Sequence, residues 1–194
     1  MTMPTLIQKH KEQETVAKVK KFYSVISQAV MLARAEHGDV DTWDFGGGDG
    51  SVNTQSSTNF ANYIKPHLQI IKDCGVTPDK KCVQEGDIFF LNGEPRTGSD
   101  YNELSYYKML LKDGSLLWFR TYSEGCRQVD AGTENVCAVI WYDTNGSRPP
   151  YTLGKDVFVF MVLKDAVVPH SGDDSLGWGC ARYILEHGDM GYLH

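Results

Sequence analysis

The sequence predicts an α+β fold in which a long N-terminal α-helix packs on a four-stranded antiparallel β-meander, with loops held by disulfides. Three observations lead to this prediction. Helical periodicity dominates the first 38 residues, apolar runs alternate with turn signals over residues 106–164, and two pairs among the five cysteines are close in sequence. A chain of 194 residues suits a single domain, residues 1–194, with a sizeable core.

The N-terminal helix is predicted over residues 1–38. Apolar residues in its second half recur every three or four positions, which is the spacing of one helix face. They are Val16, Val19, Tyr23, Ile26, Val30 and Ala33. Gly38 suits the left-handed position that follows a helix C-terminus. Because residues 5–15 are mostly polar, we expect the first half of this helix to project from the domain.

Residues 39–105 are predicted to form a variable αβ region. Within it, residues 56–72 have helical periodicity, and the residues on one face are Phe60, Ile64, Leu68 and Ile71. Pro66 lies inside this segment and predicts a kink or a break, because proline has no amide hydrogen for the helix.

Residues 106–164 are predicted to form the antiparallel sheet. Its four apolar runs are residues 106–111, 115–121, 136–142 and 156–163. The Asp-Gly pair at 113–114 is a strong hairpin signal, and consecutive strands joined by short turns pair antiparallel. Residues 165–194 are predicted to form a C-terminal loop and a short helix around residues 181–187.

The charge distribution argues against direct nucleic-acid binding. The chain has 19 Lys and Arg and 25 Asp and Glu, a net charge of −6, whereas nucleic-acid binders are usually basic. Residues 1–21 hold five lysines and two glutamates, a local +3, so the remainder carries −6 − 3 = −9. This basic end is either a solvated helix face or a surface for acidic neighbours or lipid headgroups.

The cysteines are Cys74, Cys82, Cys126, Cys137 and Cys180. None forms a CxxC pair, so zinc-knuckle and thioredoxin sites have no support. Proximity favours Cys74–Cys82 and Cys126–Cys137 disulfides, each closing a short loop and contributing about 2–3 kcal/mol. Such bridges indicate an oxidising compartment. Other pairings remain open at this point, as does a cytosolic protein with five reduced cysteines.

No catalytic residues are predicted, because the sequence has neither a G-x-S-x-G elbow nor an HExxH helix. We therefore expect no enzyme activity. The best small-site candidate is calcium binding by Asp143, Asn145 and Asp156, since alternating oxygen ligands before a glycine turn are typical of calcium loops. The alternative is a plain hairpin turn at residues 143–146. No other cofactor is expected.

Three parts of the sequence resemble type IV pilins and type II secretion pseudopilins, the family with a prepilin-type N-terminal cleavage and methylation sequence. They are Pro4-Thr5-Leu6-Ile7-Gln8 with residues 16–29, residues 142–146 with 154–158, and residues 179–184 with 190–194. The glycine cleavage site, the glutamate that follows it and the apolar span of the family are not in the printed sequence. We expect them upstream of Pro4.

The resemblance implies a pilin-like domain that acts by assembly, as a pseudopilin or minor pilin of a type IV pilus or type II secretion-like filament. It also implies an inner-membrane-anchored precursor, then a periplasmic or cell-surface filament, with other pilin or pseudopilin subunits as partners. Some pseudopilins bind calcium in the region equivalent to residues 143–156. The expected assembly surface is Lys9, Lys11, Glu12, Glu14, Lys18 and Lys21.

The alternative hypothesis is a secreted or surface-anchored adhesin or ligand-binding module that forms no filament. Its basis is the aromatic content of the predicted strands, since an exposed subset of these rings would bind a glycan or a peptide. The rings are Trp118, Phe119, Trp141, Tyr142, Phe158 and Phe160.

Overall fold

The structure, a computed structural model, describes residues 3–46, 54–76, 82–83, 86–96, 106–122 and 125–194. The α-helices in these ranges are α1 (Met3–His37), α2 (Thr54–Ile64) and α3 (Cys180–His187). The strands are β1 (Ile70–Gly75), β2 (Ile88–Phe89), β3 (Tyr107–Leu111), β4 (Leu116–Thr121), β5 (Gln128–Asp130), β6 (Thr133–Asp143), β7 (Tyr151–Thr152), β8 (Val157–Leu163) and β9 (Val167–Pro169). The α+β class is confirmed.

The main sheet is antiparallel and has the strand order β1-β3-β4-β6-β8-β9, with β5 paired to the first part of β6. The four predicted strands are β3, β4, β6 and β8, and each pairs antiparallel with the next. The prediction of four strands is nevertheless wrong in number, because the sheet has seven strands within the described ranges. Strands β2 and β7 form a separate parallel pair.

The missed strands have physical explanations. The segment 56–72 is not one helix, because α2 ends at Ile64 and a 3₁₀ turn over Lys65–His67 contains Pro66. Strand β1 then begins at Ile70 and pairs with β3 at the edge of the sheet, where most of its side chains are exposed. Strands β5 and β9 have three residues each, which is too short for periodicity to reveal them.

The second half of α1 packs across one face of the sheet. Phe22 stacks on Tyr142 of β6 with ring centres 3.9 Å apart, and Gly38 ends the helix with φ +85° as predicted. The predicted stripe is buried apart from Tyr23, which is partly buried. In the first half, Leu6 and Ile7 remain 53% and 59% exposed. Residues 6–11 are exposed, whereas Glu12 contacts His194 at the C-terminal end of the chain, so the expected projection applies to the first turns of this half.

The opposite face of the sheet carries a second apolar cluster. Strand side chains alternate between faces, so Phe119 and Ile140 face α1 whereas Trp118 and Trp141 belong to this outer cluster. The outer cluster also includes Tyr106 and residues of β7 and β8. Both faces of the sheet are thus covered in the described part of the chain.

Both predicted disulfides are present. Cys74 bonds to Cys82 and Cys126 to Cys137, with Cα atoms 6.0 Å and 4.1 Å apart. These bridges indicate an oxidising, extracellular-type environment. Within the described part of the chain Cys180 forms no disulfide and is buried, and burial raises the pKa of its thiol to about 12. Among the described helices, none combines the length and the apolar character that a membrane crossing requires.

The packing of α1 predicts the effect of removing Phe22, which is only 3% exposed. Phe22→Ala should lower the free energy of unfolding by about 3–5 kcal/mol, because it removes a buried ring and leaves a cavity. Urea denaturation followed by circular dichroism measures this. Lys9→Ala on the exposed half of α1 is the control and should change stability by less than about 0.5 kcal/mol. Equal effects of the two substitutions would contradict the packing described.

Candidate functional site

Three surfaces of the described chain concentrate polar groups: the first half of α1, the turn at residues 143–146 and a cleft on the outer face of the sheet. The first contains the predicted assembly residues. Lys9, Lys11 and Glu14 are exposed there. Their exposed position leaves their side chains accessible to a partner.

The other predicted assembly residues contact their own domain. Lys18 pairs with Glu14 at 2.9 Å and donates to the Thr144 carbonyl at 3.3 Å. Lys21 pairs with Asp113 at 3.2 Å. These contacts connect α1 to the turn at residues 143–146 and to the β3–β4 hairpin.

Glu12 is also engaged within the chain. Its Oε2 lies 3.2 Å from Nε2 of His194, and its Oε1 accepts from Gln8 at 3.0 Å. The predicted surface therefore has two groups. Glu12, Lys18 and Lys21 contact other parts of the domain. Lys9, Lys11 and Glu14 face outward, and Glu14 pairs with Lys18 of the same helix.

The turn at residues 143–146 brings together the three predicted calcium ligands. Asp143 Oδ1 accepts a hydrogen bond from the backbone amide of Asn145 at 2.8 Å. The side-chain Nδ2 of Asn145 donates to Asp156 Oδ1 at 2.7 Å. Gly146 is required at this turn because a side chain there would collide with the Gly114 carbonyl, 2.2 Å from an added Cβ. The turn is thus pressed against the β3–β4 hairpin.

The carboxylates of this turn are poorly solvated. Asp143 is fully buried, and its Oδ2 has no hydrogen-bond partner. Burial raises the pKa of Asp143 well above its ordinary value. The hydrogen bond from the backbone amide of Asn145 lowers this pKa, but burial has the larger effect. Burial also raises the pKa of Asp156. Both groups are therefore easier to protonate than exposed aspartates.

Calcium binding at this turn stays a prediction. Within the described ranges, no cluster of three or more His, Cys, Asp or Glu side chains could hold a metal ion. The Lys18 ammonium already lies at the Thr144 carbonyl, which places a positive charge where calcium would need oxygen ligands.

A rise in melting temperature on adding calcium, lost in Asp143→Asn, would demonstrate the site.

The third surface is a cleft of about 460 Å³ on the outer face of the sheet. Residues distant in sequence line it, from strands β4, β5 and β6 and from the segments after β2 and β9. They include Arg96, Arg120, Tyr122, Asp130, Trp141, His170, Asp173 and Trp178. We call this the outer cleft. Sequence reasoning missed it; the one local signal was Arg120, a cation inside an apolar strand.

A hydrogen-bonded group fixes one side of the outer cleft. Tyr122 donates to Asp130 at 2.8 Å, and His170 Nε2 lies 3.5 Å from the same carboxylate. The Gly172 amide donates to His170 Nδ1 at 2.9 Å, so the remaining ring proton is on Nε2 and faces Asp130. The hydrogen bond from His170 lowers the pKa of Asp130, which is therefore ionised at neutral pH.

Comparison with known proteins gives one family. Residues 5–171 match the model of a family of unknown function (DUF6613). This range contains strands β1–β9 and nearly all of α1. No curated protein and no solved structure matches the chain.

The burial of Asp143 predicts a distinctive pH dependence. Its pKa in the unfolded chain is about 3.9 and is higher in the folded chain. Between these two values the folded state binds more protons, so the free energy of unfolding falls as pH rises from about 4. Asp143→Asn removes this contribution and should flatten the decline. Urea denaturation from acidic to neutral pH, with a calcium chelator present, measures the slope.

The control for this experiment is Asp165→Asn, which removes an exposed carboxylate between β8 and β9. It should leave the slope of the wild-type chain unchanged. If Asp143→Asn and the wild-type chain have the same slope, the side chain of Asp143 is not buried as described.

Proposed function

The chain belongs to the DUF6613 family of unknown function, and we propose that it is a structural subunit, a pseudopilin or minor pilin, of a type IV pilus or type II secretion-like filament. It acts by assembly. The observation that carries the proposal is the division of α1 into a half that packs on the sheet and a half that does not. A pilin-like fold is part of this proposal.

The length of α1 supports assembly through this helix. Its 35 residues extend about 52 Å at 1.5 Å per residue. From residue 6 onward, where burial is described, the first buried position is Val16. A helix gains most of its stability in a protein from packing an apolar face. The preceding three to four turns contribute little to this domain's core, so a contact outside the domain gives them a physical role.

The composition of the exposed half also fits a protein partner. Leu6 and Ile7 form an exposed apolar pair, and Lys9, Lys11 and Glu14 carry charges of both signs beside it. Apolar residues supply contact area, whereas complementary charges select the partner and the register. In the proposed filament, this half of α1 contacts the helices of neighbouring subunits.

The disulfides support the location that this function requires. A domain with two bridges suits the periplasm or the cell surface. We propose that an apolar segment joined to the N-terminal end of α1 anchors the precursor in the inner membrane before assembly. The partners are other pilin or pseudopilin subunits.

Photo-crosslinking tests the proposed contact. A photoreactive residue replacing Ile7, in cells that produce the whole protein and its filament partners, should give adducts with other subunits. The control replaces Val129 on β5, which is 56% exposed against 59% for Ile7, and should give few adducts. Adducts at Val129 alone, or at neither position, would contradict assembly through α1 and favour the alternative of a secreted adhesin or ligand-binding module.

Charge reversal tests the contribution of electrostatics. Lys9→Glu with Lys11→Glu should lower the crosslinking yield at Ile7 at least several-fold, because rim charges set register and association rate. Lys164→Glu with Arg127→Glu makes the same change in net charge at exposed positions outside α1. An equal loss with both pairs would show a general effect of net charge and no specific role for Lys9 and Lys11.

A further inference from the structure

The turn at residues 143–146 contains a reactive pair, Asn145-Gly146. We propose that Asn145 is a modification site, at which spontaneous deamidation converts the side-chain amide to a carboxylate. This reaction needs only water, because the asparagine side chain is attacked by the backbone nitrogen of the residue that follows it. The inference does not depend on filament assembly, since the reacting groups belong to the turn itself.

The proposed reaction has two steps. In the first, the backbone nitrogen of Gly146 loses its proton to water or hydroxide and attacks Cγ of Asn145. The bond between this nitrogen and Cγ forms, the bond between Cγ and Nδ2 breaks, and Nδ2 takes up protons and leaves as ammonia. In the second step, water opens the resulting succinimide ring and gives aspartate or isoaspartate. No oxidant or reductant takes part.

The attacking nitrogen is weakly held in this turn. Its hydrogen bond to the Asp143 carbonyl is 3.4 Å long from donor to acceptor, which is longer than the roughly 2.7–3.2 Å of most such bonds. The structure also prevents a bulkier residue from protecting the pair, because an added Cβ at Gly146 would lie 2.2 Å from the Gly114 carbonyl oxygen. The packing of the turn against the β3–β4 hairpin therefore preserves the reactive dipeptide.

Asp156 contacts the nitrogen that must leave. Asn145 is exposed, so water reaches its side chain, and its Nδ2 donates to Asp156 Oδ1 at 2.7 Å. Burial raises the pKa of Asp156, so a larger fraction of this carboxyl is protonated than in an exposed aspartate. A protonated carboxyl at this distance is placed to donate its proton to the departing nitrogen.

A second Asn-Gly pair gives an internal comparison. Asn92 and Gly93 also lie in an exposed turn. There the Gly93 amide donates to the Phe90 carbonyl at 2.9 Å, and Asn92 Oδ1 accepts from the Glu94 amide at 3.0 Å. Attack at Asn92 must first release the Gly93 amide from a hydrogen bond of ordinary length. Because the two dipeptides are identical, it is the structure that predicts the faster reaction at Asn145.

Deamidation would remove a bond that holds the turn. The Nδ2 donor to Asp156 is lost, and a carboxylate at position 145 then faces the carboxylate of Asp156, so that like charges repel. Lys18 of α1 donates to the Thr144 carbonyl of the same turn at 3.3 Å. The modification therefore loosens the turn beside one of its contacts with α1.

Peptide mapping by mass spectrometry tests the proposal without any substitution. The folded chain is incubated at mildly alkaline pH and digested at acidic pH, and conversion to aspartate and isoaspartate is measured at Asn145 and at Asn92. The ratio of the two rates in the reduced chain, unfolded in urea, is the reference. Folding should raise this ratio at least tenfold in favour of Asn145. A ratio that folding leaves unchanged or lowers, or no conversion at Asn145, would overturn the proposal.

Asp156→Asn tests the source of the proton. The variant keeps the size of the side chain but has no carboxyl, so conversion at Asn145 should slow several-fold at mildly acidic pH. The difference from the wild-type chain should shrink as pH rises, because Asp156 then loses its proton. Asp165→Asn, exposed between β8 and β9, is the matched control and should leave the rate unchanged. An equal or faster reaction in a folded Asp156→Asn variant would overturn the role of Asp156.

Asn145→Asp tests the consequence, because it places the carboxylate of the product in the turn. It should lower the melting temperature at neutral pH and lower it less at acidic pH, where the carboxyls are protonated. Asn92→Asp makes the same exchange in the other turn and should have little effect, since its carboxylate still accepts from the Glu94 amide. Equal effects of the two substitutions would overturn the predicted loosening of the turn.

Discussion

The contact between Phe22 and Tyr142 organises the molecule. Its ring centres are 3.9 Å apart, at the middle of the interface where the second half of α1 covers one face of the sheet. Because a sheet and a helix must each bury an apolar face, this docking satisfies both. It also fixes where the first half of α1 leaves the domain. The Lys18 and Lys21 contacts with neighbouring turns add polar connections along the same boundary.

The two faces of the sheet carry different features. The helix covers one face, and its uncovered half offers Leu6 and Ile7 to a neighbour. The other face carries the outer cleft, where Arg120 and Trp141 belong to strands that also form the core under α1. In the proposed filament α1 contacts the neighbouring subunits, and the outer cleft lies on the other face of the sheet.

Local features could be predicted from the sequence, whereas features built from distant segments could not. Periodicity and Gly38 predicted α1, and Asp113-Gly114 predicted the β3–β4 hairpin. Proximity was enough for both disulfides. The first three residues of β1, 70–72, were included in the predicted helix because their pairing with β3 is what makes them a strand. The outer cleft was missed for the same reason, since Arg96, Arg120 and Trp178 meet only after the sheet has formed.

Amide hydrogen exchange along α1 tests the central claim most directly, when the isolated domain is compared with the assembled protein. The account predicts fast exchange at residues 6–15 and slow exchange at residues 19–33 in the isolated domain, because only the second half is held by the core. Upon assembly, residues 6–15 should become protected while the sheet stays unchanged. Protection of residues 6–15 that is the same in both states would contradict assembly through this half of the helix.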